Sequence, residues 1–255
     1  MRLYRKLSDF KRLVNLKDYI KNQYFETVFI DDHLLGDAIE FYNEYFRYTH
    51  HIISREEAIQ YAELGPRLNA DLWKSMMPMD ENKMNIFYSI TPFYFFHDIL
   101  RFMDGMHIER AFEFLESSKE TVLDFAGGTG GYSLFLAARG KKVTFFDTNL
   151  IQSSWMHWIN KKRNLGINVI SDSKELEGKK FDLVLANDIV EHVIDSGSLM
   201  KFLLSLVADG GSIYASELDC DGPDDLAPMH FKVKLDGDGI LYSIEENMKT
   251  LTRPR

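Results

Sequence analysis

Apolar residues follow two regimes along the chain. Up to about residue 118 they recur at helical spacing, and from residue 121 they gather in short runs separated by glycine and acidic turns. Leu3, Leu7, Phe10 and Leu13 or Val14 lie three or four apart with Arg and Lys between them, predicting a basic amphipathic first helix. Such a face either docks on the protein or rests on an anionic membrane surface. Residues 32–48 make a second helix, rich in Phe and Tyr. Ser54 followed by Glu57 has capping-box spacing, so a third helix begins near Arg55, and Gly65-Pro66 ends it. Residues 67–77 and 80–104 predict two more helices, the second kinked or split at Pro92. That segment holds Phe87, Tyr88, Phe93, Tyr94, Phe95, Phe96 and His97. These rings either line a cavity, with Tyr88 and His97 as substrate contacts, or pack helix on helix.

In the second regime, residues 108–117 form a helix entering the strand 122–125. Further strands at 143–146, 167–170, 181–186 and 212–216 alternate with helices at 132–139, 150–164 and 198–207. Gly140 and Gly166 close the first two of these helices, and Gly210-Gly211 make a turn before the last strand. Strands alternating with helices predict an α/β fold with a doubly wound, mostly parallel sheet, preceded by a helical part over residues 1–104. Residues 231–235 and 240–244, joined by Asp236-Gly237-Asp238-Gly239, read as a hairpin, and residues 252–255 as a loose tail.

The bend after the first strand decides the ligand. A dinucleotide turn requires Gly-x-Gly-x-x-Gly, and counting from Gly128 the last slot is Ser133. That makes a nicotinamide-dependent oxidoreductase the weaker reading. What stands there is Asp124-Phe125-Ala126-Gly127-Gly128-Thr129-Gly130, and the second strand ends on Asp147-Thr148. This resembles the Asp-x-Gly-x-Gly-x-Gly signature of class I S-adenosylmethionine-dependent methyltransferases, with Ala126 where the family usually has its first glycine. The resemblance covers about residues 105–217 and implies S-adenosylmethionine as cofactor, with S-adenosylhomocysteine as product. By the same resemblance, Asp124 orients the turn or the methionyl amino group. Gly127, Gly128 and Gly130 allow close backbone approach, Asp147 holds the ribose, and Asp172-Ser173 at the third strand's end meet the adenine. The methyl of Ala126 narrows the permitted backbone angles. A second match is Phe181-Asp182-Leu183-Val184-Leu185 followed by Glu191-His192-Val193. It places Asn187 and Asp188 at the methionine end, beside the point where strand order reverses. The helical part is then expected as a cap enclosing a small substrate, over a methyltransferase domain of residues 105–255. The family's closing helix has little room, so a shortened sheet edge covered by a second copy of the chain, a homo-oligomer, is expected.

His192 either takes a proton from the acceptor or, with Glu191, braces the loop. His230 rivals it as base, and Glu217 at the fifth strand's end is expected near substrate. Asp219, Asp221, Asp224 and Asp225 precede His230 in a spacing that fits no metal template, and adjacent His50 and His51 point to different faces, so no metal is expected. A net charge of −9 disfavours a nucleic-acid backbone as partner and leaves a small molecule. No apolar run reaches membrane-spanning length, and the one cysteine, Cys220, with no secretory pattern, leads to a cytoplasmic expectation. The competing reading of the whole is a non-catalytic binding or assembly module that retains the fold.

Overall fold

A computed structural model describes residues 32–49, 51–102, 105–216, 218, 220–225 and 227–235. The expected basic first helix, His50, Glu217, Asp219 and the second arm of the hairpin lie outside these residues. Residues 231–235 form no regular strand.

Among the described residues four helices lead in: α1 (Asp32–Tyr45), α2 (Arg55–Ser75), α3 (Glu81–Ile90) and α4 (Phe95–Phe102). The second helix of the sequence reading is shorter than expected, because a 3₁₀ turn (Arg47–Thr49) follows α1. The capping box is present, with Ser54 Oγ accepting from Glu57 N–H and Glu57 accepting from Ser54 N–H. Pro66 does not end the helix it opens onto, since α2 runs through it. A proline inside a helix removes one N–H and orphans the carbonyl four residues earlier. Here that carbonyl belongs to Ala62, and His97 Nδ1 of α4 lies 3.1 Å from it. Pro92 splits the long aromatic segment as expected, separating α3 from α4.

Then come α5 (Gly105–Glu116), β1 (Thr121–Phe125), α6 (Gly131–Ala137), β2 (Lys142–Phe146), α7 (Leu150–Arg163), β3 (Asn168–Ile170), β4 (Phe181–Ala186), α8 (Ser196–Ser205) and β5 (Val207–Ala215). The strands lie in the order β3-β2-β1-β4-β5, every neighbour parallel. Order therefore reverses between β1 and β4, and the crevice of a doubly wound sheet opens at their carboxyl ends. Gly210-Gly211 are not a turn before β5 but an irregularity within it. Val207 already pairs with Phe181, and the regular ladder resumes only at Ser212 opposite Leu183.

Alternate residues of the buried strands face opposite sides. Val122, Leu183 and Leu185 meet the helical lead-in together with α6 and α7, while Leu123, Val184 and Ala186 meet α8. The first of these cores is continuous from Phe41 and Phe95 of the lead-in to Trp155 of α7, whose rings lie 5.5 to 5.6 Å apart, centroid to centroid. Among the described residues, those before 103 and those from 105 on thus differ in expected role but share this core.

Candidate functional site

At the end of β1 the chain turns back with Ala126 at φ 54°, Gly128 at 60° and Gly130 at 70°. A side chain at Gly130 would collide with Met156, and one at Gly127 would meet the Asp124 carboxylate and the Phe145 ring at 2.8 Å. Gly127 is thus held to glycine by lack of room and Gly130 by its positive φ, since the end of Met156 could shift, and Ala126 adopts a left-handed conformation that most side chains avoid. Asp124 lies under the turn, buried, with Oδ2 accepting from Ser133 Oγ at 2.7 Å. Burial pushes its carboxyl up to about 6, and the Ser133 hydrogen bonds work against that rise.

Asp147, at the tip of β2, accepts from Gly128 N–H at 2.9 Å and from Asn149 N–H at 2.7 Å. Each carboxylate oxygen keeps a further lone pair. Burial raises this carboxyl to about 6 against the lowering effect of the Asn149 and Gly128 hydrogen bonds. Thr148 beside it is exposed. Asn149 caps α7 and also donates to the carbonyls of Tyr88 and Thr91, so the α3–α4 connection is tied directly to the β2 tip. Asp172 and Ser173 are exposed, and Asp172 Oδ1 caps the following 3₁₀ turn through Lys174 N–H.

Past β4, Asn187 is half-buried, and Asp188 takes a positive φ of 51°. Asp188 N–H donates to Ser216 Oγ, that hydroxyl donates back to Asp188 Oδ1, and Asp188 Oδ2 is ion-paired with Arg101 of α4. Three residues singled out from widely separated stretches come together beside this tip. Tyr88 Oη lies 3.1 Å from His192 Nδ1, and the His192 and His230 rings meet edge to face with centroids 4.8 Å apart. Glu191 is buried next to the two histidines, and the ligand-type atoms of Glu191, His192 and His230 lie within 4.8 Å of one another. Phe231 N–H donates to the Glu191 carbonyl at 2.6 Å, which holds the His230 segment against the strand-4 loop. Burial, with His230 next in weight, lowers His192 to about 3, so its ring is neutral throughout the physiological range. Burial likewise drives the Tyr88 hydroxyl far above its ordinary value.

His97 is not brought to this group, because its Nδ1 faces the Ala62 carbonyl. Two residues that sequence reasoning passed over do reach the site from α4. Arg101 holds Asp188, and Asp98 Oδ2 lies 3.3 Å from where a side chain on Gly128 would begin. Their only signal was a pair of opposite charges three apart in an otherwise aromatic segment.

Residues 96–245, more than half of the chain, match the family described as methyltransferase domain. The chain belongs to that family. The chain is 26% identical over 121 residues to a ubiquinone biosynthesis O-methyltransferase from Hydrogenovibrio crunogenus, an alignment covering 46% of this chain and 50% of that protein. The chain therefore matches half the length of this curated relative. It is also similar to the solved structure of an O-methyltransferase family protein from Burkholderia thailandensis, at 17% identity and TM-score 0.44, over 59% of this chain and 53% of that one. Similarity to the PH0226 protein from Pyrococcus horikoshii OT3 is 21% in identity with TM-score 0.40, over 46% and 52% of the two chains.

The cofactor of this methyltransferase domain is S-adenosylmethionine, and the residues present fit its chemistry. A nucleoside needs a carboxylate for its diol, which the β2 tip supplies in Asp147, and a side-chain-poor approach, which Gly128 supplies. A cationic sulfur needs an anionic surround, and Asp98, Asp147 and Asp188 place three carboxylates around the turn against the single guanidinium of Arg101. Among the described residues no helix is long and apolar enough to cross a membrane.

Proposed function

We propose that the chain transfers the methyl group of S-adenosylmethionine to a hydroxyl oxygen of a small molecule, with residues 32–102 forming the cap over the site. The observation that carries this reading is the meeting of Tyr88, His192 and His230 beside the strand-4 tip and the acid-lined glycine turn. An amine acceptor that is neutral at working pH needs no base, whereas a hydroxyl gains from one.

When bound, S-adenosylmethionine supplies a methyl carbon on a cationic sulfur, and the carbon–sulfur bond breaks as the acceptor's lone pair forms the new bond. Asp147 holds the ribose diol with the lone pairs that Gly128 and Asn149 leave open. Gly128 and Gly130 let the backbone lie against the methionyl part, while Asn187, Asp188 and Arg101 face its amino-acid end. Asp172 and Ser173 stand on the adenine side. Tyr88 orients the His192 ring: in the tautomer where Nδ1–H donates to Tyr88 Oη, Nε2 keeps the lone pair that receives the acceptor's proton. His230 flanks that ring edge to face and, with burial, keeps it neutral, so His192 holds the acceptor's proton only in passing. The cap residues Tyr88 and Thr91, bound through their carbonyls to Asn149, exclude water and hold the acceptor in line, an effect worth several kcal/mol.

His192→Ala is expected to lower kcat for methyl transfer to a hydroxylated acceptor by roughly 10²- to 10⁴-fold. S-adenosylhomocysteine affinity, measured by titration calorimetry, should stay within about threefold, as expected when only the proton-transfer step is touched. Undiminished turnover in this variant would remove His192 from the proton path.

A further inference from the structure

Of the three carboxylates around the turn, Asp98 is given no separate part in methyl transfer as described. Asp98 stands on α4, whose buried residues Phe95, Phe96, Ile99 and Phe102 lock the helix to the rest of the fold. Phe102 lies so near Gly131 that a side chain there would overlap its ring at 2.2 Å. This contact fixes α4 on the glycine turn and aims Asp98 Oδ2 at Gly128. The titratable and charged groups that face Asp98 are Tyr94 and Arg101 from its own segment, Asp147 from the β2 tip and Asp188 from the β4 tip. Arg101 is already ion-paired with Asp188. Carboxylates outnumber cations here, and an ionised Asp98 is costly until a further positive charge arrives.

Resting on the reading of this crevice as the S-adenosylmethionine site, we propose that Asp98 is the residue that tells methyl donor from product. It is close enough to both the ribose acid Asp147 and the Asp188 tip to feel their charge, and with ribose on Asp147 and the amino-acid end toward Asp188 the sulfur that joins them would come beside it. The donor's sulfur is a cation and the product's is a neutral thioether. Asp98 therefore retains the donor and, once the methyl group and its charge have left, loses its counter-ion and lets the product go. Burial sets the Asp98 carboxyl near 7, with Arg101 lowering it and Asp188 and Asp147 raising it, so its ionised fraction changes across the physiological range.

The test is calorimetric binding of S-adenosylmethionine and of S-adenosylhomocysteine, without acceptor, to wild type, Asp98→Asn and Asp98→Glu. Asp98→Asn should reduce the preference for S-adenosylmethionine roughly tenfold, the scale of one charge-assisted contact, while S-adenosylhomocysteine affinity moves less than about threefold. Asp98→Glu should restore part of the preference. An unchanged preference in Asp98→Asn, or equal losses for both ligands, overturns the assignment. Wild type alone gives a second measurement. Only the ionised carboxylate attracts the cation, so the ratio of the two affinities should rise with pH through about 7. A flat ratio overturns the assignment without recourse to any variant. Failure of wild type to bind either ligand would sink the cofactor reading itself, an outcome distinct from binding both with no role for Asp98.

Discussion

Ala126 holds φ at 54° between the tip of β1 and Gly127, a conformation that costs an L-residue roughly 1 kcal/mol or more. The strain persists because its surroundings fix the turn: Gly127 N–H donates to the Phe146 carbonyl and Gly130 N–H to the Gly127 carbonyl. Ala126→Gly should relieve the strain while adding roughly 0.5 kcal/mol or more of chain entropy on unfolding, for a net gain of about 0.5 kcal/mol. Urea denaturation measures it. A loss of more than about 1 kcal/mol would show that the methyl group's packing against the Phe125 and Phe146 side of the core outweighs the strain. At this scale the sequence was legible where a residue's position follows from the end of a strand. Asp124, Asp147 and His192 stand where their strands and the following loop put them. Asp98 and Arg101 were not legible, because their partners Gly128 and Asp188 are far away in the chain and only the packing of α4 brings them close.

At the scale of elements, α2 shows why Gly65-Pro66 misleads as a helix end. Gly65 serves a close crossing, since a side chain there would lie 2.2 Å from the Phe93 carbonyl oxygen. Pro66 is tolerated because His97 of α4 takes the place of the missing N–H at the Ala62 carbonyl. Propensity alone ends the helix, and the tertiary contact with α4 continues it. In wild type, His97→Ala should cost about 1 to 3 kcal/mol by leaving that carbonyl without its donor. In a Pro66→Ala background the restored N–H can bond the carbonyl, so the same substitution should cost clearly less. A double-mutant cycle by chemical denaturation gives the coupling, and equal costs in both backgrounds would separate His97 from the proline. The strands were predicted more closely than the helices, because buried parallel strands read as short apolar runs bounded by glycine and acids. Residues 231–235, which form no strand, and Gly210-Gly211 were exceptions: a glycine pair marks a bulge as readily as a turn, and only the pairing of Val207 with Phe181 distinguishes them.

For the molecule as a whole, the question is whether the sheet and its cofactor turn can exist without the helices that precede them. Leu34, Leu35, Phe41, Phe95, Phe96, Ile99 and Phe102 from the lead-in are buried in the same core as Tyr132, Phe135, Ile151 and Trp155. At about 1.5 to 3 kcal/mol for each large apolar side chain, the lead-in residues alone account for about 10 to 20 kcal/mol of burial. That matches or exceeds the whole net stability of an ordinary domain, about 5 to 15 kcal/mol. Polar ties point the same way: Arg163 of α7 is bound to Asp37 of α1, Trp158 Nε1 donates to Glu44, and Asn149 holds the Tyr88 and Thr91 carbonyls. A fragment of residues 105–255 is therefore expected to lack a cooperative thermal transition and to bind no S-adenosylhomocysteine, by calorimetry and near-ultraviolet circular dichroism. Adding the lead-in as a separate chain should restore both only to the extent that this shared core re-forms. If the fragment alone melted cooperatively and bound S-adenosylhomocysteine as the full chain does, the helices would be a detachable lid, and the tie between Asp98 and the glycine turn would not be needed to build the site.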